Sequence, residues 1–264
     1  MEKKTLAFIG TGSMGSALAR AAAKSGLAGR LLLANRSPEK ARRLAAELGG
    51  EAVDNLSAAA QADVLFLGVK PQMLEEMLCG IRGVLAARRD RFIVVSMVAG
   101  RDLAALSGLL GGVPVIRVMP NIPVAVGGGV TLFAASEEVT AEEKAFFREL
   151  MAASGLVEEL DERLMDAATG VTGCGPAFAA MFVESLADGA VSCGLPRAQA
   201  CRFAAQMLKG TAELLLETGE HPGALKDRVC SPAGSTIQGV RALERSAFRS
   251  AVAEAVIASY EKEF

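Results

Sequence analysis

Gly10-Thr11-Gly12-Ser13-Met14-Gly15 sets three glycines at GxGxxG spacing, directly after the apolar run Thr5 to Gly10 and at the start of a helical pattern. Such a turn can meet an anion with main-chain N–H groups alone, because the first amides of a helix have no partner inside it. Gly10 permits the tight turn, Gly12 lets the backbone approach a pyrophosphate, and Gly15 lets helix and strand pack closely. With Ser13 and Met14 these are candidate dinucleotide contacts; a glycine-rich turn without a ligand is the alternative. A second apolar run ends at Asn35-Arg36-Ser37. An acid there would accept from a ribose 2′-hydroxyl and repel a 2′-phosphate. Arg36 can instead pair with a phosphate and stack on adenine, while Asn35 and Ser37 can donate hydrogen bonds. NADP(H) is therefore expected in preference to NAD(H), with NAD(H) as the second choice.

Three further turns follow strand-like runs: Val69-Lys70-Pro71, Ser96 to Gly100 with Ala99 inside it, and Met119-Pro120-Asn121. Ligands of open α/β sheets lie at the carboxyl ends of strands, so these turns should frame the nicotinamide half of the cofactor. Asn55 completes the set of candidate cofactor residues. Lys70 reads equally well as a surface lysine at a strand end. Near the C-terminus, His221 to Thr236 runs small residues, prolines and hydroxyls straight into a helical pattern. Unpaired N–H groups and hydroxyls in such a turn suit a carboxylate, and a plain capped helix start is the alternative. The chain has one histidine, His221, one tyrosine, Tyr260, and no tryptophan, which leaves histidine acid/base or metal chemistry almost nothing to use. His221-Pro222-Gly223 reads as a turn, so His221 is expected to be structural.

The elements that must position these residues change character along the chain. Thr5 to Gly10, Leu31 to Asn35, Val64 to Val69, Phe92 to Met97 and Val113 to Met119 are nearly continuous apolar runs, as expected for parallel strands covered on both faces. Between them Ser13 to Lys24, Pro38 to Leu48, Pro71 to Ala87 and Arg101 to Leu110 can be crossover helices. That is a doubly wound α/β sheet of Rossmann type over residues 1–160. Gly127-Gly128-Gly129 is expected to be only a flexible approach to a strand. Residues 161–264 read as all-helical, with Pro176 to Cys193, Pro196 to Glu217 and roughly Thr236 to Glu263 as the long stretches. Pro176 and Pro196 stand where helices start. AFAAMFVESLADGAVSCGL is apolar around most of its circumference, so a second subunit is expected to cover it.

Composition narrows the class. The 264 residues are 51% hydrophobic and 22% charged, with 28 Lys and Arg against 30 Asp and Glu and a net charge of −2. No global basic field exists for nucleic acid or an anionic membrane. The five cysteines, Cys79, Cys174, Cys193, Cys201 and Cys230, are odd in number and form no CxxC pair, which argues against a disulfide framework and a structural zinc site. No signal peptide pattern is expected from MEKKTLAFIG, and no uncharged run of 18 residues reads as a membrane-spanning helix. A cytoplasmic protein with no metal is the expectation.

These residues resemble the pyrroline-5-carboxylate reductases along the whole chain: GTGSMG, NRS, VKP, S-x-x-AG, MPN-x-P, TGCGPAF, ADGAVSCGLPR and, most specifically, HPGALKDRVCSPAGSTI. The resemblance implies NAD(P)H-dependent reduction of pyrroline-5-carboxylate to L-proline. It also implies a helical dimerisation domain, a homodimer built further into rings of dimers such as a decamer, and an active site between domains near the dimer interface. By resemblance, Thr236 hydrogen-bonds the ring nitrogen as the catalytic residue, and Glu162 is a substrate-side polar group, though a solvent-exposed helix-start acid is equally compatible with it. The substrate carboxylate is expected on Ser231, Gly234, Ser235 and Thr236. Ile122, Phe178, Val98, Ala233 and Ser235 depart from the residues common in the family. Val98 and Ile122 lie in turns expected near the nicotinamide, where they could narrow the pocket. The rival reading is a β-hydroxyacid dehydrogenase, which needs a lysine proton donor early in the second domain; no lysine occurs between Lys144 and Lys209. A protein that senses NADP(H) without turnover is the alternative outside enzymes.

Overall fold

The computed structural model describes residues 2–261, which form two compact units divided between Gly173 and Cys174. The first is an eight-stranded sheet in the order β3-β2-β1-β4-β5-β6-β7-β8. Its strands are β1 (Lys4–Ile9), β2 (Ala28–Ala34), β3 (Glu51–Ala52), β4 (Val64–Leu67), β5 (Ile93–Ser96), β6 (Val115–Pro120), β7 (Gly129–Ala135) and β8 (Gly155–Glu159). The pairs from β3 through to β6 are parallel; β7 runs antiparallel to β6, and β8 parallel to β7. The chain leaves β1 in one direction along the sheet and returns to its other side at β4. The crevice at that switch point is where doubly wound sheets hold ligands.

Strand residues alternate between two buried layers, which is why the strands read as continuous apolar runs. Leu6, Phe8, Leu31, Leu33, Phe66 and Val95 join one layer with Leu18 and Ala22 of α1 (Ser13–Lys24), Leu44 of α2 (Pro38–Leu48) and Phe147 of α6 (Ala141–Met151). Ala7, Ile9, Leu32, Leu65, Leu67 and Val94 join the other with Ala58 of α3 (Asn55–Gln61), Leu78 and Ile81 of α4 (Leu74–Ala87) and Leu106 of α5 (Leu103–Leu110). Phe8 and Phe66 stack with ring centroids 4.1 Å apart, fixing β1 to β4 directly beneath the switch point.

Several boundaries differ from the expected ones. Pro71–Met73 is a 3-10 turn ahead of α4, and α5 begins after Asp102, whose carboxylate accepts from Ala105 N at 2.7 Å and so caps the helix there. Gly129 is no slack approach: a Cβ there would collide with the backbone of Val124, so close packing requires the glycine. The short helix α7 (Met165–Thr172) belongs to the first unit, so that unit continues past residue 160.

The second unit contains α8 (Gly175–Ser192), α9 (Arg197–Thr218), α10 (Pro222–Val229), α11 (Ser235–Arg245) and α12 (Phe248–Tyr260). The stretch expected to run from Thr236 to Glu263 breaks at Ala247, which adopts a left-handed conformation (φ 54°) between α11 and α12; residues 262 and 263 of that stretch lie outside the described residues. In α8 and α9 only the alanines 187, 200 and 204 are buried, while Met181, Phe203 and Leu216 are exposed.

Candidate active site

The carboxyl ends of β1 to β6 bring the expected cofactor turns to one edge of the first unit. Gly10, at φ +99°, lies so close to β4 that a Cβ would stand 2.6 Å from the carbonyl carbon of Gly68, and a Cβ on Gly15 would strike the Gly10 carbonyl. Those two glycines are explained by the fold itself. Gly12 is not: its φ of −71° suits any residue, and a Cβ there would meet nothing within 4 Å. It caps α1 without a side-chain bond, leaving the first amides of the helix open. The neighbouring Thr11 hydroxyl is buried, 6% exposed, and has no protein partner. An open space, free helix amides and an orphaned hydroxyl in one turn fit a bound pyrophosphate. Ser13 is exposed at the first position of α1, while Met14 packs partly into the core.

At the end of β2, Arg36 is exposed and makes no ion pair among the described residues. Ser37 caps α2 without using its hydroxyl. Asn35 is committed to the chain: its Oδ1 accepts from Thr11 N at 3.2 Å and its Nδ2 donates to Ser37 O at 3.1 Å. Asn55 is the first residue of α3, where Asp54 accepts from Ser57 N at 2.7 Å; that N–H holds the Asp54 carboxyl below its ordinary range. Lys70 is exposed at the head of the Pro71–Met73 turn, Val69 is half-buried and Ala99 is exposed.

Two residues expected at the cofactor or substrate prove to be braces as well. Asn121 is buried, with Nδ2 donating to Thr172 O at 2.9 Å and Oδ1 accepting from Val130 N at 2.9 Å, so it ties β6 to β7 and to the end of α7. Glu162 Oε1 accepts from Leu103 N and from Arg117 Nη1, each at 2.8 Å. The Arg117 side chain is 7% exposed and the Glu162 side chain 28%, so the arginine end of this ion pair is desolvated, and Glu162 also caps α5. Pattern reading missed Arg117, because an arginine inside a strand run gives no spacing signal. Val98 is 2% exposed and packed in the core, so it does not narrow an open cleft; Ile122 is 75% exposed.

In the second unit His221 caps α10, its Nδ1 accepting from Gly223 N at 3.1 Å, with Pro222 at the first helical position. Cys230, Ser231, Pro232, Ala233 and Gly234 then turn into α11. Gly234 caps α11 with no side-chain bond, so the N–H groups of Ser235 and Thr236 lie unpaired at the helix start with both side chains exposed. Ala233 sits at φ 59°, a left-handed conformation that favours glycine.

No group of His, Cys, Asp and Glu among the described residues could hold a metal ion. The fold and its edge define a dinucleotide-dependent oxidoreductase with a helical second domain. Residues 162–263 match the family described as pyrroline-5-carboxylate reductase dimerisation, and residues 5–100 match NADP oxidoreductase, coenzyme F420-dependent. The chain is 42% identical over 266 residues to the pyrroline-5-carboxylate reductase of Escherichia coli (strain K12), covering 99% of this chain and 97% of that protein. It is also similar to the crystal structure of Plasmodium falciparum pyrroline carboxylate reductase with NADP bound, at 30% identity and a TM-score of 0.85 over 99% of this chain and 97% of the other. The Coxiella burnetii pyrroline-5-carboxylate reductase structure matches at 28% identity and a TM-score of 0.91 over 98% and 97%. The chain belongs to the pyrroline-5-carboxylate reductase family. The helical stretch Glu162–Ser192 is long and apolar enough to cross a membrane, yet it falls within the region matched as a dimerisation domain.

Proposed function

We propose that this chain reduces 1-pyrroline-5-carboxylate to L-proline with NADPH, and with NADH as the weaker donor. The reaction rests on the 42% identity with the Escherichia coli reductase across nearly the whole of both chains. Gly10, Gly12, Ser13, Met14 and Gly15 receive the pyrophosphate, Arg36 and Ser37 the 2′-phosphate, and Asn55, Val69, Lys70, Pro71, Ala99 and Asn121 border the remainder, Asn121 chiefly as a brace because its side chain and backbone N–H are engaged.

When bound, the reduced nicotinamide supplies a hydride. The substrate is a cyclic iminium, already an electrophile, so the chain needs to orient it and stabilise charge more than to supply a strong acid. As the new C–H bond forms at the imine carbon, the C=N π pair moves to nitrogen and leaves a neutral ring amine. Backbone amides of Ser235 and Thr236, with Ser231 and Gly234 shaping the turn, hold the carboxylate at the start of α11. The Thr236 hydroxyl hydrogen-bonds the ring nitrogen. Glu162 can act on the substrate side only through Oε2, since Oε1 is engaged. The one histidine is spent on a helix cap, so no imidazole is needed in this scheme.

The substrate is thus a small molecule and the enzyme an oligomer. We infer that a second copy covers the apolar faces of α8 and α9, that dimers assemble further, up to a decamer, and that the protein works in the cytoplasm without a nucleic-acid or membrane partner. Purified protein should oxidise NADPH only when pyrroline-5-carboxylate is present; cofactor binding without substrate-dependent oxidation would refute the reading. Thr236→Ala should lower kcat by about 10- to 100-fold, the worth of one hydrogen bond to a charged group, with the NADPH Kd nearly unchanged. Normal turnover would remove Thr236 from the mechanism.

A further inference from the structure

Asn35 lies at the end of β2, beside the residues that would meet a 2′-phosphate, yet each end of its amide already makes a bond within the chain. Its oxygen accepts from Thr11 N at 3.2 Å and its nitrogen donates to Ser37 O at 3.1 Å. Thr11 stands between Gly10 and Gly12, in the turn with open helix amides; Ser37 follows Arg36 and caps α2. One planar side chain therefore spans the two turns that would grip the two phosphate groups of a single ligand. The remaining direct backbone tie near it is Gly10 N to Ala34 O at 2.9 Å, which fixes strand pairing below the turns but neither turn's tip. Thr11 is buried, so its N–H would be left without a partner if the amide were removed.

We propose that Asn35 is a positioning residue that sets the separation between the pyrophosphate turn and the 2′-phosphate turn, acting through its bonds to Thr11 and Ser37. This rests on the reading of that edge as the NADP(H) site. A rigid two-point receptor favours a ligand that spans both points, because the ordering of the turns is done before binding. Loss of the strut should therefore weaken NADPH, which spans both points, more than NADH, which lacks the 2′-phosphate, and spare a fragment that reaches only one turn.

Binding of NADPH, NADH, adenosine 2′-phosphate and reduced nicotinamide mononucleotide, measured by calorimetry or competition, separates the roles. Asn35→Ala should raise the Kd of NADPH by about tenfold, the order of one hydrogen bond, raise that of NADH by less, and leave adenosine 2′-phosphate within about twofold. Arg36→Ala should do the reverse, weakening NADPH and adenosine 2′-phosphate while sparing NADH. If Asn35→Ala weakens adenosine 2′-phosphate as much as NADPH, the side chain touches the phosphate and the proposal is wrong; unchanged Kd values for all four also overturn it. Should Asn35→Ala fail to fold, the wild-type protein still decides. With the turns ordered before binding, adenosine 2′-phosphate should leave the mononucleotide Kd within about twofold, and a tightening of about threefold or more, which would show that one fragment orders the other's turn, overturns the proposal. Wild-type protein that does not bind NADPH, or an Arg36→Ala variant indistinguishable from it, would overturn the site assignment itself and the proposal with it.

Discussion

Arg36 stands exposed at the end of β2 with no carboxylate paired to it among the described residues, so its removal should cost the fold little. Its charge is available to a 2′-phosphate, and charge-assisted contacts of that kind are among the stronger polar ones. Arg36→Ala is expected to raise the NADPH Kd by about 10- to 100-fold and leave NADH within about twofold; equal losses for both would show that it serves some other part of the nucleotide. Ala233 carries the opposite lesson. It occupies φ 59° in the turn that leads to α11, where a side chain is strained by roughly 1 kcal/mol. Ala233→Gly should stabilise the protein by up to about 0.5 kcal/mol in denaturant melts, the rest of the gain being offset by the freer unfolded chain. A lower melting midpoint would mean that the Cβ makes a contact that outweighs the strain.

Among the elements, β6 holds the segment that precedes the tail at two places. Arg117 grips Glu162 ahead of α7, and Asn121 grips the carbonyl of Thr172 at its end. A buried arginine stripped of its carboxylate is costly, so this pair reads as a brace whatever else Glu162 does. β8 is fastened similarly on the outer side: Glu159 pairs with Lys144 and Arg148 of α6, each at 2.6 Å. The hydrogen bond from Lys144, with the charge of both bases, holds the Glu159 carboxyl below its ordinary value of 4.5. A carboxylate with a depressed folded-state pKa contributes stability that is complete above the ordinary value and is lost as pH falls through the folded one. The stability gap between wild type and Glu159→Gln should thus be level from neutral pH to about pH 5 and close at lower pH; a gap that stays undiminished at about pH 3 would rule out the ion pair as its source.

At the scale of the molecule, α8 buries only Ala187 within its own chain, although it is among the most apolar stretches of the sequence. A water-facing surface of that kind is ordinarily an interface. The match of residues 162–263 to a dimerisation family supplies the occupant, a second copy. Light scattering coupled to size exclusion should show a dimer or larger down to low micromolar protein, and a stable monomer would contradict the assignment of α8 and α9 as the interface.

The sequence alone determined the doubly wound sheet, because strands covered on both faces must be apolar without interruption and their crossover helices must alternate with them. It determined α1 and α2 to the residue, since the GxGxxG turn and Ser37-Pro38 are local start signals, and it determined the family, through motifs spread along the chain. It did not reveal the two-residue β3, too short to carry a pattern, nor the break at Ala247, where nothing in the residue type announces a left-handed turn. Only the tertiary structure decided which polar residues are free. Asn35, Asn121, Glu162 and His221 belong to types that bind ligands, yet each spends hydrogen-bonding capacity on a neighbouring backbone or, for Glu162, also on Arg117. Four of these bonds join residues 24 to 59 positions apart, while Arg36 has no ion-pair partner among the described residues. Residue type sets what a group can bond; which partner reaches it first is set by chain segments that spacing along the sequence does not bring together.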